Sequence, residues 1–184
     1  MYNLIIITGD LAAGKSTLAN SLSIELNIPC LIKDILKEIA CDAIGYENRE
    51  QNRALSIAAM NSMIYFFEQV GVVGSDIILE ANFRHEEIAS IKEMADEYGY
   101  HVVLINLTGD INLLYQRFLD RLVDRHIAHR SLHLEQSLEA FASYIQMIRN
   151  EDMIYPKHVI DMSELDEDDV MYQALSIIHE ELGI

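Results

Sequence analysis

Residues 5–17 read IIITGDLAAGKST. An apolar run ends at Gly9, a short loop follows, and Gly14, Lys15, Ser16 and Thr17 open a helix-like segment. From Gly9 to Ser16 the chain carries two glycines separated by four residues, then Lys and Ser, which is the phosphate-loop pattern. The context fits too, because a buried strand precedes the loop and a helix follows it. Gly9 and Gly14 permit backbone angles that side chains forbid. The loop amides then turn inward, and the helix N-terminus adds roughly half a positive charge. Gly9, Asp10, Leu11, Ala12, Ala13, Gly14, Lys15, Ser16 and Thr17 are therefore expected to cradle the phosphates of a nucleotide. Lys15 should reach the β and γ phosphates, and the Ser16 hydroxyl should ligate Mg²⁺.

Outward from the loop, apolar runs alternate with longer amphipathic stretches. Strands are expected at Tyr2–Thr8, Cys30–Lys33, Ile77–Glu80, Val102–Leu107 and His158–Asp161. Helices are expected at Lys15–Leu26, Ile35–Ile44, Arg49–Val70, Glu86–Tyr98, Ile111–Arg125, Leu134–Ile148 and Glu164–Leu182, the last capped by Ser163. Most strand runs are continuously apolar, as strands covered on both faces must be. The pattern is that of an α/β protein with a parallel sheet, and residues 1–184 read as a single domain. The irregular stretch Arg125–Leu132 is expected to be a mobile flap.

The net charge of −17 bears on partners. Such a surface repels a long polyanion, so nucleic acid is not the expected partner. Cys30 and Cys41 show no metal or redox spacing. With no leader ahead of the first strand and no apolar run of about 18 residues, a cytoplasmic protein without membrane attachment is expected, monomeric or dimeric. No Asn-Lys-x-Asp run of the guanine-specific kind is present, so ATP is the expected nucleotide.

In open α/β sheets ligands bind beyond the carboxyl ends of the strands. The second strand leads into LIKDILKE (residues 31–38), placing Asp34 there. A carboxylate at that point can align an acceptor hydroxyl for phosphoryl transfer, or cap the following helix. The third strand ends in IILEANFR (residues 77–84), offering Glu80 as an acid for Mg²⁺ or substrate, with Asn82 beside it. Farther on lies QRFLDRLVDRHIAHRSLHLE (residues 116–135). Arg117, Arg121 and Arg125 are spaced by four and are expected on one helical face, with Arg130 beyond them. Either they pair with Asp120 and Asp124 along the helix, or residues 121–133 form a lid. In a lid, Arg121 and Arg125 would act on the transferring phosphate while Arg117 and Arg130 hold the nucleotide. His126, His129 and His133 recur at three and four, but no cysteine or acid completes an obvious zinc set.

Phosphate loop, Asp34, Glu80 and the arginine-rich segment together resemble the P-loop kinases of the nucleoside-monophosphate-kinase fold group. The nearest resemblance is to the small ATP-binding kinases that include polynucleotide 5′-kinase domains and chloramphenicol phosphotransferase. It implies a three-layer fold with five parallel strands in the order 2-3-1-4-5. It also implies a general-base role for Asp34 and a substrate-side position for Lys37, where the relatives carry Arg. The layout further implies that Gly45–Gln69 covers the acceptor, with Arg49 and Arg53 facing an anionic substrate. Tyr65, Phe66 and Phe67 lie in the same segment and either stack on a substrate ring or pack in the core.

The expected activity is transfer of the ATP γ-phosphate to a hydroxyl of a small molecule such as a nucleoside, sugar, metabolite or antibiotic. The alternatives are a nucleotide-dependent ATPase or switch acting through a partner, and a polynucleotide 5′-hydroxyl kinase. The phosphate loop alone does not separate them, because it only holds the donor.

Overall fold

The computed structural model describes residues 2–183. Five parallel strands form one sheet: β1 (Tyr2–Gly9), β2 (Cys30–Ile32), β3 (Ile77–Glu80), β4 (Tyr100–Thr108) and β5 (Lys157–Asp161). Their order is β2-β3-β1-β4-β5, as the resemblance implies. The helices are α1 (Lys15–Leu26), α2 (Lys33–Ile44), α3 (Arg49–Val73), α4 (His85–Tyr98), α5 (Ile111–Asp120), the single turn α6 (Leu132–Glu135), α7 (Leu138–Arg149) and α8 (Glu167–Leu182).

The central strand β1 shows why its run is apolar throughout. Ile5 and Ile7 enter a core built with α1, α5, α7 and α8. Leu4 and Ile6 enter the opposite core, built with α3 and α4. Side chains alternate across a strand, so a strand covered on both faces needs apolar residues at every position. This sandwich fixes the carboxyl ends of β1, β2 and β3 along one rim. No helix among the described residues is long and apolar enough to cross a membrane.

Three expectations are corrected. The helix expected over Ile111–Arg125 ends at Asp120 and tightens into a 3-10 turn over Arg121–Val123. Arg117, Arg121 and Arg125 therefore do not share one helical face. The guanidinium of Arg125 lies over the buried Phe118 ring, 4.7 Å from its centroid. Second, Ser163 does not cap the last helix. Asp166 does so, accepting from the Asp169 amide, whereas the Ser163 hydroxyl donates to Asp161 and accepts from the Asp110 amide. Third, of the three aromatics of α3 only Phe67 packs in the core, while Tyr65 and Phe66 are exposed and line neither cavity described below.

Candidate active site

The phosphate loop is shaped by two close demands. Gly9 has a φ of 125°, and a Cβ there would lie 2.0 Å from the Leu107 carbonyl oxygen. Only glycine lets β1 run so close to β4. Gly14 has a φ of 85° and caps α1 without a side-chain bond, which leaves the first α1 amides pointing into the loop. Asp10 has a different task from the expected phosphate contact. Its side chain is 1% exposed and pairs with Arg149 at 2.6 Å, and the Thr108 hydroxyl donates to it at 2.9 Å. Gly9 and Asp10 thus shape the loop and do not line a cavity.

The loop divides two cavities. The larger, about 1150 Å³, is bordered by Leu11, Ala12, Lys15 and Ser16. The smaller, about 390 Å³, is bordered by Ala13. Gly14, Thr17 and Arg121 touch both.

In the larger cavity the Ser16 hydroxyl donates to Oε2 of Glu80 at 2.8 Å. Burial pushes the Glu80 carboxyl up, and the Lys15 ammonium opposes that rise. Burial likewise pushes Lys15 down, against Glu80, Asp34 and Asp10. Each of the two charges thus favours the ionised form of the other, against the effect of burial. The Lys15 ammonium donates to the Asp10 carbonyl at 2.7 Å. A hydroxyl beside a carboxylate, both oxygen donors, suits Mg²⁺, which keeps several waters and takes one or two protein oxygens. Asn82 also lines this cavity, with its Oδ1 buried and unpartnered.

Asp34 lies in the first turn of α2, which begins at Lys33. The N-cap is Ile32 and no side chain caps the helix. The Asp34 carboxylate is therefore not committed as a cap. It is 56% exposed and faces the same cavity as the phosphate loop.

Nine of the thirteen Lys and Arg residues line this cavity, against six of the thirty acids. Its formal charge is thus positive in a chain of net −17. Lys33, Arg49 and Arg53 have no ion-pair partner among the described residues. Arg84 pairs with Glu151 at 3.1 Å, and Arg130 is held by both oxygens of Glu135 at 2.9 Å. Nothing in the local sequence marked Lys33 or Arg84 as cavity residues.

The segment expected as a mobile flap is anchored. Its 3-10 turn, Ile127–His129, docks on α2 and α3. The buried Lys37 ammonium donates to the Ala128 carbonyl at 2.7 Å, joined there by the Asn52 amide at 3.2 Å. The Tyr46 hydroxyl donates to Ile127 at 2.8 Å, and Arg125 donates to the His129 carbonyl at 2.9 Å. Lys37, expected on the substrate side, is thus committed to the lid. A charge-assisted bond of this kind contributes about 1.5–3 kcal/mol. Lys37→Met is expected to speed tryptic cleavage after Arg125 and Arg130 by about tenfold or more. Unchanged cleavage would show that the lid is held by something else.

The smaller cavity is the one the sequence reading missed. Met162, Leu165 and Val170 give it an apolar wall, and Arg117 crosses its mouth with a guanidinium nitrogen 3.2 Å from the Met162 sulfur. An apolar wall with a guanidinium beside it suits a flat aromatic group. The signal was available: Met162 and Leu165 follow the carboxyl end of β5, and the rule applied to the second and third strands extends to the fifth. Arg117 therefore belongs to this side of the loop, apart from Arg125.

A family model described as Zeta toxin matches residues 3–174. No curated protein matches the chain. Among solved structures, a candidate kinase from Chloroflexus aurantiacus J-10-fl is 22% identical with a TM-score of 0.78, covering 95% of this chain and 97% of its own. A gluconokinase from Sinorhizobium meliloti 1021 is 12% identical with a TM-score of 0.65, covering 97% and 92%. An APS kinase from Mycobacterium tuberculosis, solved with AMPPNP and APS, is 12% identical with a TM-score of 0.61, covering 97% and 98%. The fold is that of P-loop kinases.

Proposed function

The chain belongs to the Zeta toxin family, and on that premise we propose that it is an ATP-dependent phosphotransferase acting on a hydroxyl of an anionic small molecule. One observation carries this reading. The phosphate loop and the uncommitted carboxylate of Asp34 open into one cavity of about 1150 Å³.

The base of ATP then lies in the smaller cavity beside Arg117, and its phosphates run along the loop into the larger one. Ser16 and Glu80 would hold Mg²⁺, which neutralises charge on the phosphate oxygens. Lys15 leaves the Asp10 carbonyl for the β and γ phosphates. Asp34 accepts a hydrogen bond from the acceptor hydroxyl and aligns its oxygen with the γ-phosphorus. Arg121 and Arg125 spread the charge of the transferring group, and the docked lid keeps water out. Arg130 joins them only on exchanging Glu135 for phosphate.

Three further unpaired cations give the acceptor its charge. A triphosphate at the loop meets Lys15, Arg121 and Arg125, whereas Lys33, Arg49 and Arg53 lie on the α2 and α3 side. Cations left unpaired in a cavity suit a carboxylate or phosphate on the second substrate. The structures that share the fold include kinases for gluconate, shikimate and APS. A polynucleotide acceptor is disfavoured, because the surface outside the cavity is more acidic still.

The test is a screen of hydroxyl compounds for ATP-dependent phosphorylation, with anionic and neutral members paired. Anionic members are expected to react. For any that do, Arg49→Ala with Arg53→Ala should raise the acceptor KM by about tenfold or more with the ATP KM unchanged. Equal reaction of neutral members, or an unchanged acceptor KM, would contradict the anionic assignment.

A further inference from the structure

The lid brings one titratable side chain to the carboxylate of Asp34. His129 ends the docked turn with its side chain 11% exposed, and each ring nitrogen faces a carboxylate of α2. Nε2 lies 3.1 Å from Oε1 of Glu38, within ion-pair reach though off the line of an N–H bond. Nδ1 lies 3.9 Å from Oδ2 of Asp34. Asp34 and Glu38 are four residues apart, so one face of α2 presents both. The ring's backbone is fixed on either side, since Ala128 is held by Lys37 and Asn52 and the His129 carbonyl by Arg125.

The surroundings favour a neutral ring. Burial pushes its pKa down, and the charges of Lys37 and Arg125 act in the same direction, against Asp34 and Glu38. The neighbouring ring of His126, 6.2 Å away between centroids, is itself held on Asp42 at 3.0 Å. A neutral imidazole carries one proton. Glu38, the nearer carboxylate, favours that proton on Nε2, which leaves the Nδ1 lone pair on the side of Asp34.

We propose that His129 acts through Asp34, accepting at Nδ1 the proton that Asp34 takes from the acceptor hydroxyl. This rests on the kinase reading of Asp34. As the acceptor oxygen bonds to the γ-phosphorus, the bond from that phosphorus to the bridging oxygen breaks, and its electron pair stays on ADP. The acceptor O–H bond breaks and its proton passes to Asp34, then to Nδ1. Asp34 ends as the carboxylate it began as. An imidazole is ordinarily the stronger base, and the imidazolium formed lies between two carboxylates, which stabilise it. Closing the 3.9 Å gap to hydrogen-bond range takes a movement of about 1 Å, which the exposed Asp34 side chain can supply.

The test reads the ring directly. Long-range ¹H–¹⁵N spectra of the full chain with AMPPNP and Mg²⁺ should show His129 neutral near pH 7 with its proton on Nε2. Asp34→Asn should move the His129 titration midpoint to lower pH, because it removes a negative charge that favours the imidazolium. Glu38→Gln should weaken the preference for Nε2. A midpoint unmoved by Asp34→Asn would overturn the proposal, as would a proton on Nδ1 at neutral pH.

A kinetic arm uses ATP turnover with water as the acceptor. His129→Gln keeps a donor for Glu38 but takes no proton. It should lower kcat by about tenfold with the ATP KM unchanged, and the acidic limb set by the ring should vanish from the pH profile. If Asp34→Asn stops turnover while His129→Gln leaves rate and profile intact, the relay fails alone. If Asp34→Asn leaves turnover intact, the kinase reading beneath it fails as well.

Discussion

Asp34→Asn is expected to reduce phosphoryl transfer by about 10²- to 10⁴-fold while ATP still binds. The substitution keeps the shape of the side chain and removes only its charge and basicity. The carboxylate is 56% exposed and caps no helix, so its loss should leave the melting temperature where it was. An unchanged melt with lost transfer would therefore report chemistry and not damage. Titration with a fluorescent ATP analogue should give the same Kd for variant and wild type. Transfer that survived the substitution would remove the base from the mechanism.

Arg149→Met should lower stability by about 3 kcal/mol or more, because it strands the Asp10 carboxylate in the protein interior. That carboxylate is 1% exposed and would keep only the Thr108 hydroxyl as a partner. The Gly109 carbonyl would lose its donor as well. For a chain of this size the melting temperature should fall by roughly 6–12 °C. The paired variant Asp10→Asn with Arg149→Met removes both charges and should recover part of the loss. Because Asp10 lies inside the phosphate loop, ATP affinity should fall in the single variant too. A single variant that melts with the wild type would show that the pair does not hold the loop.

What the sequence made legible follows from how locally each feature is encoded. The phosphate loop is a run of eight residues whose glycine positions and strand-loop-helix context lie side by side. The strands were legible because both faces are covered, which forces apolar residues in succession. That Asp34 and Glu80 border the cavity of the phosphate loop was legible from their places at strand ends. Features built from distant partners were hidden. Asp10 and Arg149 are 139 positions apart, and no local pattern links them. Lys37 binds a backbone carbonyl 91 positions away, and a carbonyl leaves no mark in a sequence. The end of α5 at Asp120 was missed because the four-residue spacing of the arginines continues past it. The acid at 166 shows a smaller case, since a run of serine and acids offers several caps and only tertiary contacts select one.

Transfer of the terminal phosphoryl group of ATP to an organic hydroxyl is read most directly from the fate of label from γ-³²P-ATP, followed by chromatography with the full chain, Mg²⁺ and a panel of hydroxy acids and phosphorylated alcohols. Label is expected to accumulate as a phosphomonoester of one class of acceptor, and Asp34→Asn to prevent it. Label appearing only as inorganic phosphate, at a rate no acceptor changes, would contradict it.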